Sequence, residues 1–141
     1  MSYLKMLTNR RLLLAAFSCI LRDFVFTYNA NIMIPYLTED FGMSKKQAGM
    51  MFSVILCTLI PTNIAIQIFK LPRRMPRRAF LITSTLIEGL ASIFVGPSLA
   101  FGIPNEIGFM IAGQLILGIC FPFLLAFSLP EMQEAVSKMF P

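Results

Sequence analysis

The chain has 141 residues, 57% of them hydrophobic and 13% charged, with a mean hydropathy of +0.75. A water-soluble domain is about half apolar and roughly a quarter charged, so an ordinary soluble fold is excluded and lipid is the natural solvent. The net charge is +5, and five of the 12 cations (Lys70, Arg73, Arg74, Arg77 and Arg78) crowd one loop between apolar runs. That pattern marks the inner side of a membrane protein and not a nucleic-acid surface.

In chain order, Lys5, Arg10 and Arg11 precede the first apolar stretch. A cleaved signal would need a small-residue cleavage site after that stretch. Instead Arg22 and Asp23 follow and the apolar pattern resumes, which predicts an uncleaved first helix. The basic, acid-free opening also reads as a short mitochondrial address. A spanning helix needs roughly 20 largely apolar residues, and four segments qualify, at residues 12–37, 47–69, 79–95 and 107–129. The expected fold is therefore all-α, an integral membrane protein of four transmembrane helices. A basic segment at 1–11 precedes the membrane domain at 12–130, and a short amphipathic tail follows at 131–141.

The connections carry turn and cap chemistry. The segment Thr38-Glu39-Asp40-Phe41-Gly42 closes the first helix, and Ser44 with Gln47 three residues on reads as a capping box for the second. Pro72 and Pro76 punctuate the basic loop. Gly96-Pro97-Ser98 ends the third helix, Pro104-Asn105-Glu106 opens the fourth, and Pro130 is expected to end it. The first loop holds two acids and two lysines that cancel, the second is purely basic, and the third holds one acid. The positive-inside rule then puts the basic loop and both termini on the cytoplasmic or matrix side, in a plasma or vesicle membrane or the mitochondrial inner membrane.

A few polar groups lie where lipid would penalise them. Arg22 and Asp23 sit within the first helix, and a central charge costs about 2.5–3.5 kcal/mol on insertion scales, so they should face protein or water. Helical spacing puts Asp23, Thr27 and Asn31 on one stripe, with Arg22, Phe26 and Asn29 beside it. This polar flank reads either as a substrate or proton path or as a charge-compensated contact with another helix. Adjacent residues point about 100° apart on a helix, so Arg22 and Asp23 need not bond to each other. Glu88 lies midway along the third helix between Ser84 and Ser92; it can pair with Arg22, titrate, or hold two helices together as a hydrogen-bonded acid. Gly113, Gln114 and Gly118 suggest close packing of the fourth helix, and Pro61-Thr62-Asn63 a kink in the second. Phe121, Phe123 and Phe127 read as a lipid or core face. Cys19, Cys57 and Cys120 lie singly in apolar runs, without disulfide or zinc spacing, as small buried apolar residues. With no histidine, nucleophile elbow, phosphate loop or metal-ligand spacing, no enzyme, cofactor or metal site is expected.

Three stretches carry a family resemblance. Ile34-Pro35-Tyr36-Leu37, Phe41-Gly42-Met43-Ser44 and Gly49-Met50-Met51-Phe52, with the basic loop after the second helix, are similar to the opening of one half of a major facilitator superfamily transporter. Gly96-Pro97-Ser98, Gly113-Gln114 and Leu129-Pro130-Glu131-Met132 resemble the carboxyl-terminal half of the vesicular-amine-transporter-like protist branch. The resemblance implies small-molecule transport by alternating access, and cavity roles for Asp23, Asn29, Asn31 and Gln114 on the first and fourth helices. It implies an outer position for the third helix, and so a weaker transport role for Glu88. The family's loop carries a glycine and an aspartate that residues 67–70 do not supply, so only Arg73, Arg74, Arg77 and Arg78 carry over. Alternating access needs two rocking bundles, which four helices do not make. The expectation is a piece of a larger transporter, or a reduced relative serving as a non-catalytic accessory subunit of a large membrane complex of, for example, the mitochondrial respiratory kind. Its partners are then the bilayer and either the missing transporter half or other membrane chains, with no nucleic acid.

Overall fold

The computed structural model describes residues 8–71, 76–96, 102 and 104–139. These form four helices, α1 Arg10–Glu39, α2 Lys45–Phe69, α3 Arg77–Val95 and α4 Ile107–Met139, each long and apolar enough to cross a membrane. The all-α, four-helix membrane architecture expected from the sequence is the architecture found.

Local chemistry explains the helix ends. Asn9 caps α1, its Oδ1 accepting from the backbone N–H of Arg11 at 3.0 Å. The capping box at the start of α2 is present: Ser44 Oγ accepts from the Gln47 backbone N–H at 3.3 Å, and Gln47 Oε1 accepts from the Ser44 backbone N–H at 3.0 Å. Gly42 turns the chain between α1 and α2 with φ +63°, a left-handed conformation that suits a residue without a Cβ. Tyr36 donates its hydroxyl hydrogen to Asn105 Oδ1 at 2.7 Å, tying the far end of α1 to the segment that opens α4.

The fourth helix departs from the reading that Pro130 ends it. α4 runs through both Pro122 and Pro130 to Met139, so residues 131–139 continue the helix and are not a separate tail. Proline in a helix interior costs about 3 kcal/mol in water, but membrane helices tolerate it when neighbouring elements hold the chain. Here the turns beyond Pro130 are held by ion pairs. Glu131 Oε1 accepts from Arg11 Nε at 2.5 Å and from Arg78 Nε at 3.1 Å. Glu134 pairs with Arg11 at 3.1 Å, Arg77 at 2.9 Å and Lys138 at 2.8 Å. The start of α1, the start of α3 and the end of α4 therefore meet at one end of the bundle, called here the basic end.

Packing centres on α4, which contributes to each of three apolar clusters. Leu117 and Phe121 meet Ile55 of α2 and Ala91 and Val95 of α3. Met110 meets Met33 and Leu37 of α1 and Ala48 of α2. Leu124 and Phe127 meet Leu81 of α3. Phe127 and Phe80 stack with centroids 5.2 Å apart. Phe121 and Phe127 are buried and Phe123 half-buried, so these phenylalanines form core.

Two glycines let α4 come close to its neighbours. A Cβ on Gly113 would stand 2.7 Å from Val95 Cγ2 and 3.0 Å from the Ala91 carbonyl oxygen of α3. One on Gly118 would overlap Thr58 Oγ1 and the Ile55 carbonyl oxygen of α2. At that approach Thr58 donates to the Leu115 carbonyl oxygen at 3.0 Å, a hydrogen bond between helices. Cys120 is buried and Cys19 half-buried as small core residues, whereas Cys57 is exposed on α2.

Candidate functional site

The polar residues of α1 divide between two faces. Asp23, Thr27 and Asn31 form an exposed stripe, with Asp23 at the edge of a cavity shared with α2 and α4. Asn31 satisfies one amide hydrogen locally, donating to the Thr27 carbonyl oxygen at 2.9 Å. Arg22 and Asp23, which the helical angle did not require to meet, do bond: Arg22 Nε donates to Asp23 Oδ1 at 3.0 Å, and Nη2 pairs with the same oxygen. The flexible guanidinium arm spans the angle between neighbouring Cβ vectors. The Asp23 side chain is 66% exposed and that of Arg22 19%, so the pair sits at the edge of the bundle.

Asn29, Gln114 and Glu88 are instead buried, at 3%, 0% and 2% exposure. Gln114 Nε2 donates to Met33 Sδ at 2.8 Å, and its Oε1 has no hydrogen-bond partner among the described residues. Asn29 lines a cavity of about 250 Å³ with Tyr28, Met33, Tyr36, Ser92 and Met110. Glu88 Oε1 also lacks a partner among the described residues, while Arg22 lies within electrostatic reach of the carboxyl. Arg22 and Glu88 sit about 17–18 Å along α1 and α3 from the basic end, at one level of the bundle. The six polar residues singled out in the sequence thus do not converge on one site. Arg22, Asp23 and Glu88 form one constellation, Asn29 lines a cavity, Gln114 is bonded to Met33 of that cavity's wall, and Asn31 stands on the outer face.

A groove connects the mid-membrane level with the basic end. One cavity of about 260 Å³ is bounded by Arg22, Asp23, Phe26, Leu59, Asn63 and Phe121. It adjoins one of about 600 Å³ that runs between α2 and α4 past Asn63, Gln67, Lys70, Leu129 and Gln133. The two share Asn63, Pro122 and Leu125. Asn63, Gln67 and Lys70 recur at helical spacing on α2, which puts them on one face. Lys70 closes α2 in the left-handed conformation, its N–H bonded back to the Gln67 and Ile66 carbonyls.

Of the basic loop, Lys70 and Arg78 are exposed and Arg77 is half-buried. Arg73 and Arg74 lie outside the described residues. Sequence reasoning passed over Glu131 and Glu134, which bind this cluster. Their signal was two acids one turn apart in a chain with only seven acids, opposite a loop of uncompensated cations. It also passed over Gln67 and Gln133, since no pattern within one helix shows that they share a groove with another.

Four helices long and apolar enough to cross a membrane define an all-α, multi-pass membrane protein. Comparison of the chain with models of known families, with curated proteins and with solved structures finds no match.

Proposed function

We propose that this chain is a helical module of a small-molecule transporter of the major facilitator type, acting by alternating access once further helices complete it. The observation that carries the reading is the groove from the Arg22–Asp23 pair at mid-membrane to Lys70 and Gln133 at the basic end. Its polar lining lets water and a polar solute enter part-way through an otherwise apolar bundle. The positive-inside rule orients that opening toward the cytoplasm or matrix. The exposed stripe of Asp23, Thr27 and Asn31 cannot face lipid without a penalty, so in this reading it faces the second bundle across the solute path.

The same stripe supports a second reading, a non-catalytic accessory subunit whose α1 packs on a partner chain in a large membrane complex. The pairing of Arg22 with Asp23 favours it, since a self-neutralised pair is cheaper to bury in an interface than a lone charge.

Thiol accessibility separates the two. In the native assembly, with Cys19, Cys57 and Cys120 replaced by alanine, Asn63→Cys should react with a membrane-impermeant thiol reagent from the cytoplasmic or matrix side. Asp23→Asn should then reduce solute flux while the particle assembles normally. A Cys at 63 that is unreactive from both sides, with assembly lost in Asp23→Asn, would establish the subunit reading instead.

A further inference from the structure

Glu88 is the most buried acid in the membrane interior, and the groups around it are few. The residue is 2% exposed and its Oε1 is buried with no hydrogen-bond partner among the described residues. Ser92, the hydroxyl one turn away, donates to the Glu88 backbone carbonyl at 2.8 Å and so is not free for the carboxyl. α3 packs against α4 and α1. From α4 the titratable group near Glu88 is the buried Cys120 thiol; from α1 it is Arg22, with Asp23 bonded to it.

One guanidinium thus stands between two carboxyls, an exposed one that it holds and a buried one within its electrostatic reach. With both acids ionised the group carries one uncompensated negative charge at mid-membrane, and an isolated carboxylate in an apolar interior is strongly disfavoured. We propose that Glu88 is an exchangeable proton-binding site, and that Arg22 alternates between Asp23 and Glu88 as that proton binds and leaves. Arg22 borders the groove and Glu88 lies behind it; a hydronium ion gives its proton to a Glu88 carboxylate oxygen and becomes water. The site is then neutral, with Arg22 on Asp23. When the proton returns to water, Arg22 swings toward the Glu88 carboxylate and releases Asp23 to the exposed face of α1. Proton occupancy is thereby linked to the charge that α1 presents to whatever covers it. As a coupling site for solute movement this rests on the transport reading; as a proton site it does not.

Carbodiimide labelling tests it without a flux assay. Dicyclohexylcarbodiimide partitions into the bilayer and modifies protonated carboxyls there, leaving a stable adduct that peptide mass mapping assigns to one residue. In the native assembly, the Glu88 adduct should form in acid and decline as the pH is raised. Arg22→Gln should move half-labelling to higher pH by about one unit or more, because the cation that stabilises the carboxylate is gone. Asp23→Asn should move it to lower pH, because Arg22 is then free for Glu88. A Glu88 unlabelled in acid in the wild-type protein would overturn the proposal. So would a profile that Asp23→Asn leaves unchanged, a measurement that stands even if Arg22→Gln fails to assemble. Glu88 labelling of this form with an unreactive Asn63→Cys would keep the proton site and remove the transport reading.

Discussion

The seam of α4 with α2 and α3 and the outer face of α1 both belong to helices apolar enough to cross a membrane, but they are used in opposite ways. In the most apolar stretch of α4, 50% of the residues are buried, against 11% in α1 and in α2. α4 carries the glycines that bring helix backbones together, and its last turns carry the carboxylates that gather the basic end. α1 exposes Leu14, Phe17, Ile20, Phe24 and Tyr28, and with them Asp23, Thr27 and Asn31. Apolar attraction does not drive helices together in lipid, because the tails are as apolar as leucine; close packing and polar contacts do. Where α4 has small residues and ion-pair partners it is buried, and where α1 has large apolar side chains it is left facing outward.

If that contrast is sound, the largest effect should come from filling the tightest approach. Gly118→Val would drive methyl groups into the Thr58 hydroxyl and the Ile55 carbonyl, contacts that include backbone and cannot simply rotate away. A loss of about 3 kcal/mol or more is expected, read as failure to recover a monodisperse chain in detergent. Next comes the basic end. Glu131→Gln removes the buried carboxylate that the more exposed Arg11 and Arg78 share, and losing hydrogen bonds to a charged group costs about 2 kcal/mol. The measurable sign is a lower thermal midpoint, with proteolysis beginning in residues 131–139 as the helix beyond Pro130 loosens.

Thr58→Val should cost less, about 1 kcal/mol for one hydrogen bond between membrane helices, measurable by unfolding in mixed micelles. The smallest effect on the isolated chain should come from the open face. Asn31→Ala removes an exposed amide whose bond is local, and should change stability by no more than about 0.5 kcal/mol. If Asn31→Ala destabilised the isolated chain as much as Thr58→Val, the division into a packed seam and an open face would fail. A marked effect confined to the native assembly would sharpen it, by showing that the stripe is covered there.

The four spans, the capping box at Ser44 and the gathering of positive charge followed from residue order, because each depends on a window of one helix or less. Lipid demands long apolar runs with internally bonded backbones, and such runs are visible in composition alone. The sequence also marked Gly113 and Gly118 as close approaches and Arg22, Asp23, Asn29, Glu88 and Gln114 as costly in lipid. It did not decide which of these turn inward. Asp23 and Asn29 lie on the same helix, yet one is exposed and the other buried, because only the relative rotation of α1 against α3 and α4 distinguishes them. Likewise Pro130 reads as a stop until Glu131 meets Arg11 and Arg78, side chains 120 and 53 positions away. Periodicity assigns residues to faces of a helix, but which face meets which neighbour is set by packing and pairing among helices distant in the chain.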